Sequence, residues 1–273
     1  LVLTNPLVRL AFSGSNGTIL SLFHREADAE LVDAQEAAAE GFLWQLQLSD
    51  PDGRPLALTS RDAREFTRDL GRHRHEGALR LWLQWRGFPR GSDTIDAALT
   101  AQITFPNDSS TILFDAEIEL PKGFTVRSLS LPCVCSVSCP DPLADDGIFL
   151  PISGGLFLAN PRSLARAGDP PLWEAGYPGP ASLQLFGYCC GDRTTLWLAA
   201  HDSHGARKTL IAAGMPSSAR LRLAIAHHPT LRPDGHWSAP YPTAVGLAAG
   251  DWFEAARGYR TWATGQPWCA GGR

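Results

Sequence analysis

Apolar and polar residues alternate along most of this chain. Leu79, Leu81, Leu83 and Trp85 alternate with Ala78, Arg80, Trp82 and Gln84. Leu99, Ala101, Ile103 and Phe105 alternate with Thr100, Gln102 and Thr104. The same period runs through Phe42 to Leu48, Ile112 to Leu120, and Leu221 to Ile225. A period of two sends successive side chains to opposite faces, so each segment predicts a half-buried antiparallel strand. Gly14-Ser15-Asn16-Gly17, Asp50-Pro51-Asp52-Gly53 and Pro106-Asn107-Asp108 supply the backbone conformations that a reversing chain needs. Many strands with frequent turns predict an all-β sandwich or barrel.

Two stretches break the alternation. Arg25 to Glu40 is rich in Ala and Glu and predicts a short helix or a loop. Asp251 to Ala263 predicts an amphipathic helix, with Asp251 as N-cap and Glu254 three residues on, as in a capping box. Trp252, Ala255, Ala256, Tyr259, Trp262 and Ala263 form one stripe at helical spacing, and Gly265 and Pro267 end it. The stripe needs a cover, either this domain's own surface or a partner domain. Trp252, Tyr259 and Trp262 are therefore candidate domain-interface residues. Between Pro140 and Gly179 the pattern thins among clustered Pro, Gly and Asp, which predicts long irregular loops of the kind that often carry function.

Composition narrows the classes. The 273 residues are 44% hydrophobic and 19% charged, with a net charge of −4. That supports a sizeable core, argues against disorder, and leaves no basic field for nucleic acid. No apolar run reaches the ~18 residues of a membrane helix. No leader segment is visible, so no compartment is assigned. The Leu1 start and the Gly271-Gly272-Arg273 end read as those of a fragment.

The six cysteines include Cys133-x-Cys135-x3-Cys139. The one-residue gap puts Cys133 and Cys135 on one face of a strand, which suits buried apolar thiols better than zinc, so no metal or cofactor is expected. Cys189 and Cys190 point to opposite faces. Asp145 and Asp146 would suit calcium, but the spacing of a calcium loop is absent.

The candidate chemistry is thin. Trp173, Glu174 and Tyr177 combine rings that could stack on a sugar with a carboxylate that could accept its hydroxyls; the plainer reading is that the rings plug the end of the sandwich. His201, Asp202 and His204 follow an apolar strand and suit acid–base work or a metal; the plainer reading is a turn capped by Asp202 with solvated histidines. His73, His75 and Glu76 read as a solvated turn. His227-His228, near Asp234 and His236, read as the edge of a site with nothing to fix its geometry. No P-loop, G-x-S-x-G or H-E-x-x-H occurs.

Several segments together resemble one family. Leu3 to Phe12 and Asn16 to Leu22 look like the first hairpin of galactose-mutarotase-like super-sandwich domains. Tyr177-Pro178-Gly179 through Gln184, and then Leu196 to Asp202, are similar to that family's middle motifs. Gly250-Asp251-Trp252-Phe253-Glu254, Tyr259 to Trp262 and Gln266-Pro267-Trp268 resemble an exit helix that leads into a catalytic (β/α)8 barrel. The pattern is similar to the N-terminal region of an uncharacterised bacterial group of glycoside-hydrolase-like proteins. The resemblance implies a large antiparallel β super-sandwich over 1–250, with helix and linker over 251–273. It implies a non-catalytic domain that packs on a downstream barrel and touches carbohydrate, with neither nucleic acid nor membrane as partner. True epimerases of this fold use a His pair and a Glu base, which find no matching positions here. Two other readings stay open. One is a stand-alone sugar epimerase working through His201 or His204 with Glu174, and the other is a carbohydrate-binding module using Trp173 and Tyr177.

Overall fold

The structure, a computed structural model, describes residues 1–75, 77–141, 145–165, 172–232 and 234–270. Strands β1 (Val2–Thr4), β2 (Val8–Phe12), β3 (Ile19–His24) and β4 (Ala29–Glu30) make a small antiparallel sheet. Helix α1 (Ala34–Glu40) follows, capped by Asp33, whose carboxylate accepts the N–H groups of Gln35 and Glu36. The Ala-rich segment is thus part strand and part helix.

Next come β5 (Gln45–Ser49), β6 (Pro55–Thr59), β7 (Glu65–His75), β8 (Ala78–Arg90), β9 (Asp93–Pro106), β10 (Thr111–Glu119) and β11 (Thr125–Val137). The second half adds β12 (Asp146–Leu150), β13 (Leu156–Ala159), α2 (Pro161–Ala165), β14 (Leu172–Tyr177), β15 (Leu185–Cys190) and β16 (Thr194–Ala200). Strands β17 (Lys208–Gly214), β18 (Leu221–His227), β19 (His236–Ser238) and β20 (Thr243–Ala249) complete the β structure. Helices α3 (Trp252–Ala263) and α4 (Pro267–Ala270) follow them.

The larger sheet has ten strands, in the order β13-β12-β15-β16-β20-β10-β9-β8-β7, with β19 also paired to β10. The smaller, six-stranded sheet runs β14-β17-β18-β11-β5-β6. The two bury their apolar faces together as an all-β sandwich with a C-terminal helix. Leu81, Leu83 and Trp85 of β8 face inward, as alternation predicts, and the edge of Trp85 meets Trp44 at 5.7 Å between ring centres. Every residue of β15 and β16 is buried, because α3 covers their outer side and the opposing sheet their inner side.

The stretch from Pro140 to Gly179 is more regular than its composition predicts. It holds β12, β13 and β14: β12 and β13 pair as a hairpin, while β12 and β14 also pair with β15 and β17 further along the chain, which no local pattern announces. Asp146 belongs to no calcium loop. It is buried and accepts from the Tyr188 hydroxyl at 2.6 Å and from Arg162 Nε at 2.5 Å.

Cys133 and Cys135 share one buried face, against Met215 and Ala224. Burial pushes both thiols up, Cys135 to about 11. Cys139 is not a free thiol. It forms a disulfide with Cys190 at a Cα separation of 5.2 Å, tying the end of β11 in one sheet to β15 in the other. The two cysteines are 51 positions apart in the sequence, so spacing gave no hint of the bridge.

Candidate functional site

Strand β14 sorts the first group of candidates by face. Trp173 and Tyr177 point inward and pack against the core, while Glu174 lies exposed on the opposite side. The three residues lie on a paired strand, not on a loop, and the carboxylate is not beside the rings.

Asp202 is buried, and its carboxylate caps the turn after β16 by accepting the N–H groups of His204 at 2.8 Å and Ala206 at 2.5 Å. It also takes Lys208 Nζ at 2.7 Å. Lys208 has no exposed surface, and its ammonium donates further to Gln184 Oε1 at 2.7 Å and the Ala206 carbonyl at 2.6 Å. The rings of Tyr177 and Tyr241 lie 4.8 and 4.7 Å from the same nitrogen. Burial alone would raise the Asp202 carboxyl; its bonds to Lys208 and to the two N–H groups hold it below the usual carboxylate range.

The cage extends to His227, whose Nδ1 pairs with the Tyr241 hydroxyl at 3.1 Å and whose Nε2 faces the Leu131 carbonyl, also at 3.1 Å. Burial pushes this imidazole down to about 4, so it is neutral at neutral pH. Lys208 and Tyr241 escaped the sequence reading, and Gln184 entered it only as the end of a motif, not as a site residue. One signal pointed to Lys208: it is one of two lysines in a chain that otherwise uses arginine, and it opens an apolar strand.

His201 and His204 do not join this cage. The His201 ring stacks on Trp262 of α3, with centres 4.7 Å apart and planes 5° apart. Burial draws it down to about 4. His204 is exposed and pairs with the Ser203 hydroxyl. Glu174 and His201 lie on the outer faces of different sheets, so the structure does not assemble the pair that proton transfer would need. His236 pairs instead with Glu117, at 2.5 Å. The side chains of His73 and His75, and Glu76 altogether, lie outside the described residues. Among the described residues, no group of three or more His, Cys, Asp or Glu could hold a metal ion. No helix there is long and apolar enough to cross a membrane.

Helix α3 starts as the sequence predicts, with Asp251 accepting the Phe253 N–H at 2.9 Å. Glu254 turns to Arg257, at 3.0 Å. Ala255 and Tyr259 are buried against Leu185, Trp197 and Ala199, with Trp262 packed beside them. The sandwich itself therefore covers most of the stripe. Trp197 fits under the helix because Gly246 beneath it has no side chain; a Cβ there would stand 2.1 Å from the indole.

Of the three interface candidates only Trp252 remains exposed. Phe253 and Trp268, which the stripe did not single out, are exposed with it. Trp252 borders a groove of about 360 Å³ lined by Phe149, Leu156, Phe157, Leu183 and Leu185. Leu156, Phe157 and Leu183 are themselves exposed, which makes an apolar face at the β13 end of the larger sheet.

No family model matches this sequence, and neither does any curated protein. Solved structures do resemble the fold. The α-N-acetylgalactosaminidase NagBb from Bifidobacterium bifidum superposes with a TM-score of 0.66 at 15% identity, over 97% of this chain and 38% of its own. An α-galactosidase from Lactobacillus brevis gives a TM-score of 0.58 at 11% identity, over 97% and 41%. The Slr1438 protein from Synechocystis sp. PCC 6803 gives 0.57 at 12% identity, over 91% and 95%. The chain thus spans about two fifths of the glycosidases it matches and nearly all of Slr1438. At these identities the likeness is one of fold.

Proposed function

We propose that this chain is the non-catalytic β-sandwich domain of a glycoside hydrolase, with a catalytic barrel docked on the face around Trp252, Phe253 and Trp268. The observation that carries the proposal is the coverage: glycosidases hold this fold across 97% of the chain, as roughly two fifths of a longer polypeptide. The exposed apolar face supports it, since contiguous apolar surface of this kind marks an interaction site. In this reading the sandwich occupies 1–250, and 251–273 leads towards the barrel. The cage around Lys208 then serves structure and not chemistry.

The first test is the reading frame beyond Arg273. A following βα-repeat region with two carboxylates at strand ends supports the proposal, and a stop codon overturns it. Given a barrel, the separately expressed barrel should bind this chain. Trp252→Ser combined with Phe253→Ser should weaken that binding at least tenfold.

A second reading, a stand-alone sugar-processing protein, is favoured by one observation: the fold fills 95% of Slr1438. Polarimetry of the 273-residue chain with several aldoses tests it, and rates equal to background remove it.

A further inference from the structure

The long strands β7 to β10 carry a second surface, away from the apolar groove. The inward residues of β8, β9 and β10 fill the core, so their alternate residues form the outer face of the larger sheet, which β7 continues as the edge strand. Helix α3 packs on β15, β16 and β20, beside this region. The pairing aligns the outer residues in rows. Asp69 lies opposite Trp82, Trp82 opposite Gln102, and Gln102 opposite Asp115. On one side of that row Arg80 lies opposite Thr104, and on the other Gln84 lies opposite Thr100.

Trp82 is the one aromatic ring in these rows, and it is held at both ends. Its Nε1–H donates to Gln102 Oε1 at 3.1 Å, across to β9. Its benzo edge lies over Gly71 on β7, where a Cβ would stand 2.5 Å from Cζ3. The two contacts run the long axis of the ring across β8, from β9 to β7. Gly71 is the position that permits this. Trp82 is accordingly half-buried, with Asp69 and Arg80 exposed beside it.

The geometry points to a binding platform for a neutral glycan on this face, centred on Trp82. The aliphatic C–H face of a pyranose stacks on a half-exposed indole, which offers apolar area at low conformational cost. The neighbouring amides, carboxylates and guanidinium belong to positions one strand or one row from Trp82, a backbone spacing of about 5 to 7 Å. That is where the equatorial hydroxyls of a stacked sugar need donors and acceptors. The charges are mixed and include Asp69 and Asp115, so a polyanion is a poor match. Burial raises the Asp115 carboxyl despite the nearby Arg80, which brings a proton-donating form of this group closer to neutral pH.

The inference is separate from the docking proposal, because it concerns a different part of the sheet and needs no partner domain. It also moves the sugar contact away from Trp173 and Tyr177, whose rings face the core.

The test is affinity electrophoresis of the 273-residue chain through gels containing galactomannan, mixed-linkage β-glucan or soluble starch. Retardation by at least one polymer is expected. Trp82→Ala should weaken it at least tenfold, with Trp82→Phe retaining part of it. Gly71→Val should weaken it as well, by displacing the indole. Asp69→Ala, an exposed change that spares the fold, should reduce it severalfold, and Trp252→Ser should leave it unchanged. No retardation by any of the three polymers overturns the inference and leaves the face to a protein neighbour. Retardation that survives Trp82→Ala, in a variant with unaltered melting, overturns it as well.

Discussion

The Lys208 cage gives a sharp test of how this sandwich is held together. Consider Lys208→Met, which keeps the volume of the side chain and removes its charge. The ammonium is fully buried and has three oxygen partners at 2.6 to 2.7 Å and two flanking rings. Without it Asp202 keeps the two N–H bonds of its turn, but it is a buried carboxylate with no counter-charge. Breaking a buried pair from one side costs about 3–5 kcal/mol, mainly through the charge left behind. Unfolding 273 residues carries about 0.6 kcal/mol per kelvin of entropy, so Tm should fall by about 5–8 °C. Adding Asp202→Asn removes the stranded charge while an amide oxygen remains to serve the turn. The double variant should recover more than half of the loss. Calorimetry of the wild type, both single variants and the double variant closes the cycle. A loss under 2 °C for Lys208→Met, or a double variant no better than that single one, would refute the argument that an uncompensated charge sets the cost.

Three further outcomes follow from other parts of the fold. Gly246→Ala should cost several kcal/mol or unfold the chain, because its Cβ would enter the Trp197 indole at 2.1 Å, and Trp197→Leu in the same chain should restore part of the loss. The Cys139–Cys190 bridge closes a separation of 51 residues, so Cys139→Ser with Cys190→Ser should cost about 4 kcal/mol in denaturant melts, and mass spectrometry without reductant should find the linked peptides. Stability should decline as pH drops from about 6.5 to 4, because the buried His227 titrates near 4 when folded and near 6.5 when unfolded, so the unfolded chain binds more protons in that window. The lowered Asp202 carboxyl adds loss at still lower pH, as it protonates; a Tm that stays flat from pH 7 to 4 would contradict the His227 assignment.

The sequence alone determined the long strands β8, β9 and β10 of the larger sheet. Where apolar residues alternate, as from Leu79 to Trp85, burial of one face leaves a single register, and a slip of one residue would invert every side chain. It also determined the exit helix, because Asp251 and the stripe to Trp262 are local signals. Tertiary structure decided the rest. Alternation placed Trp82 outward but could not show that Gly71, on the neighbouring strand, makes room for its ring. Trp173, Glu174 and Tyr177 looked like one site until strand pairing sent the acid to one face and the rings to the other. Asp202 looked like a surface cap because its partner Lys208 lies on the next strand, across a turn. Cys139 finds Cys190 only when the two sheets close on each other. Periodicity reports which face of an element meets the core; which residues of distant elements then meet depends on pairing and packing that no local pattern encodes.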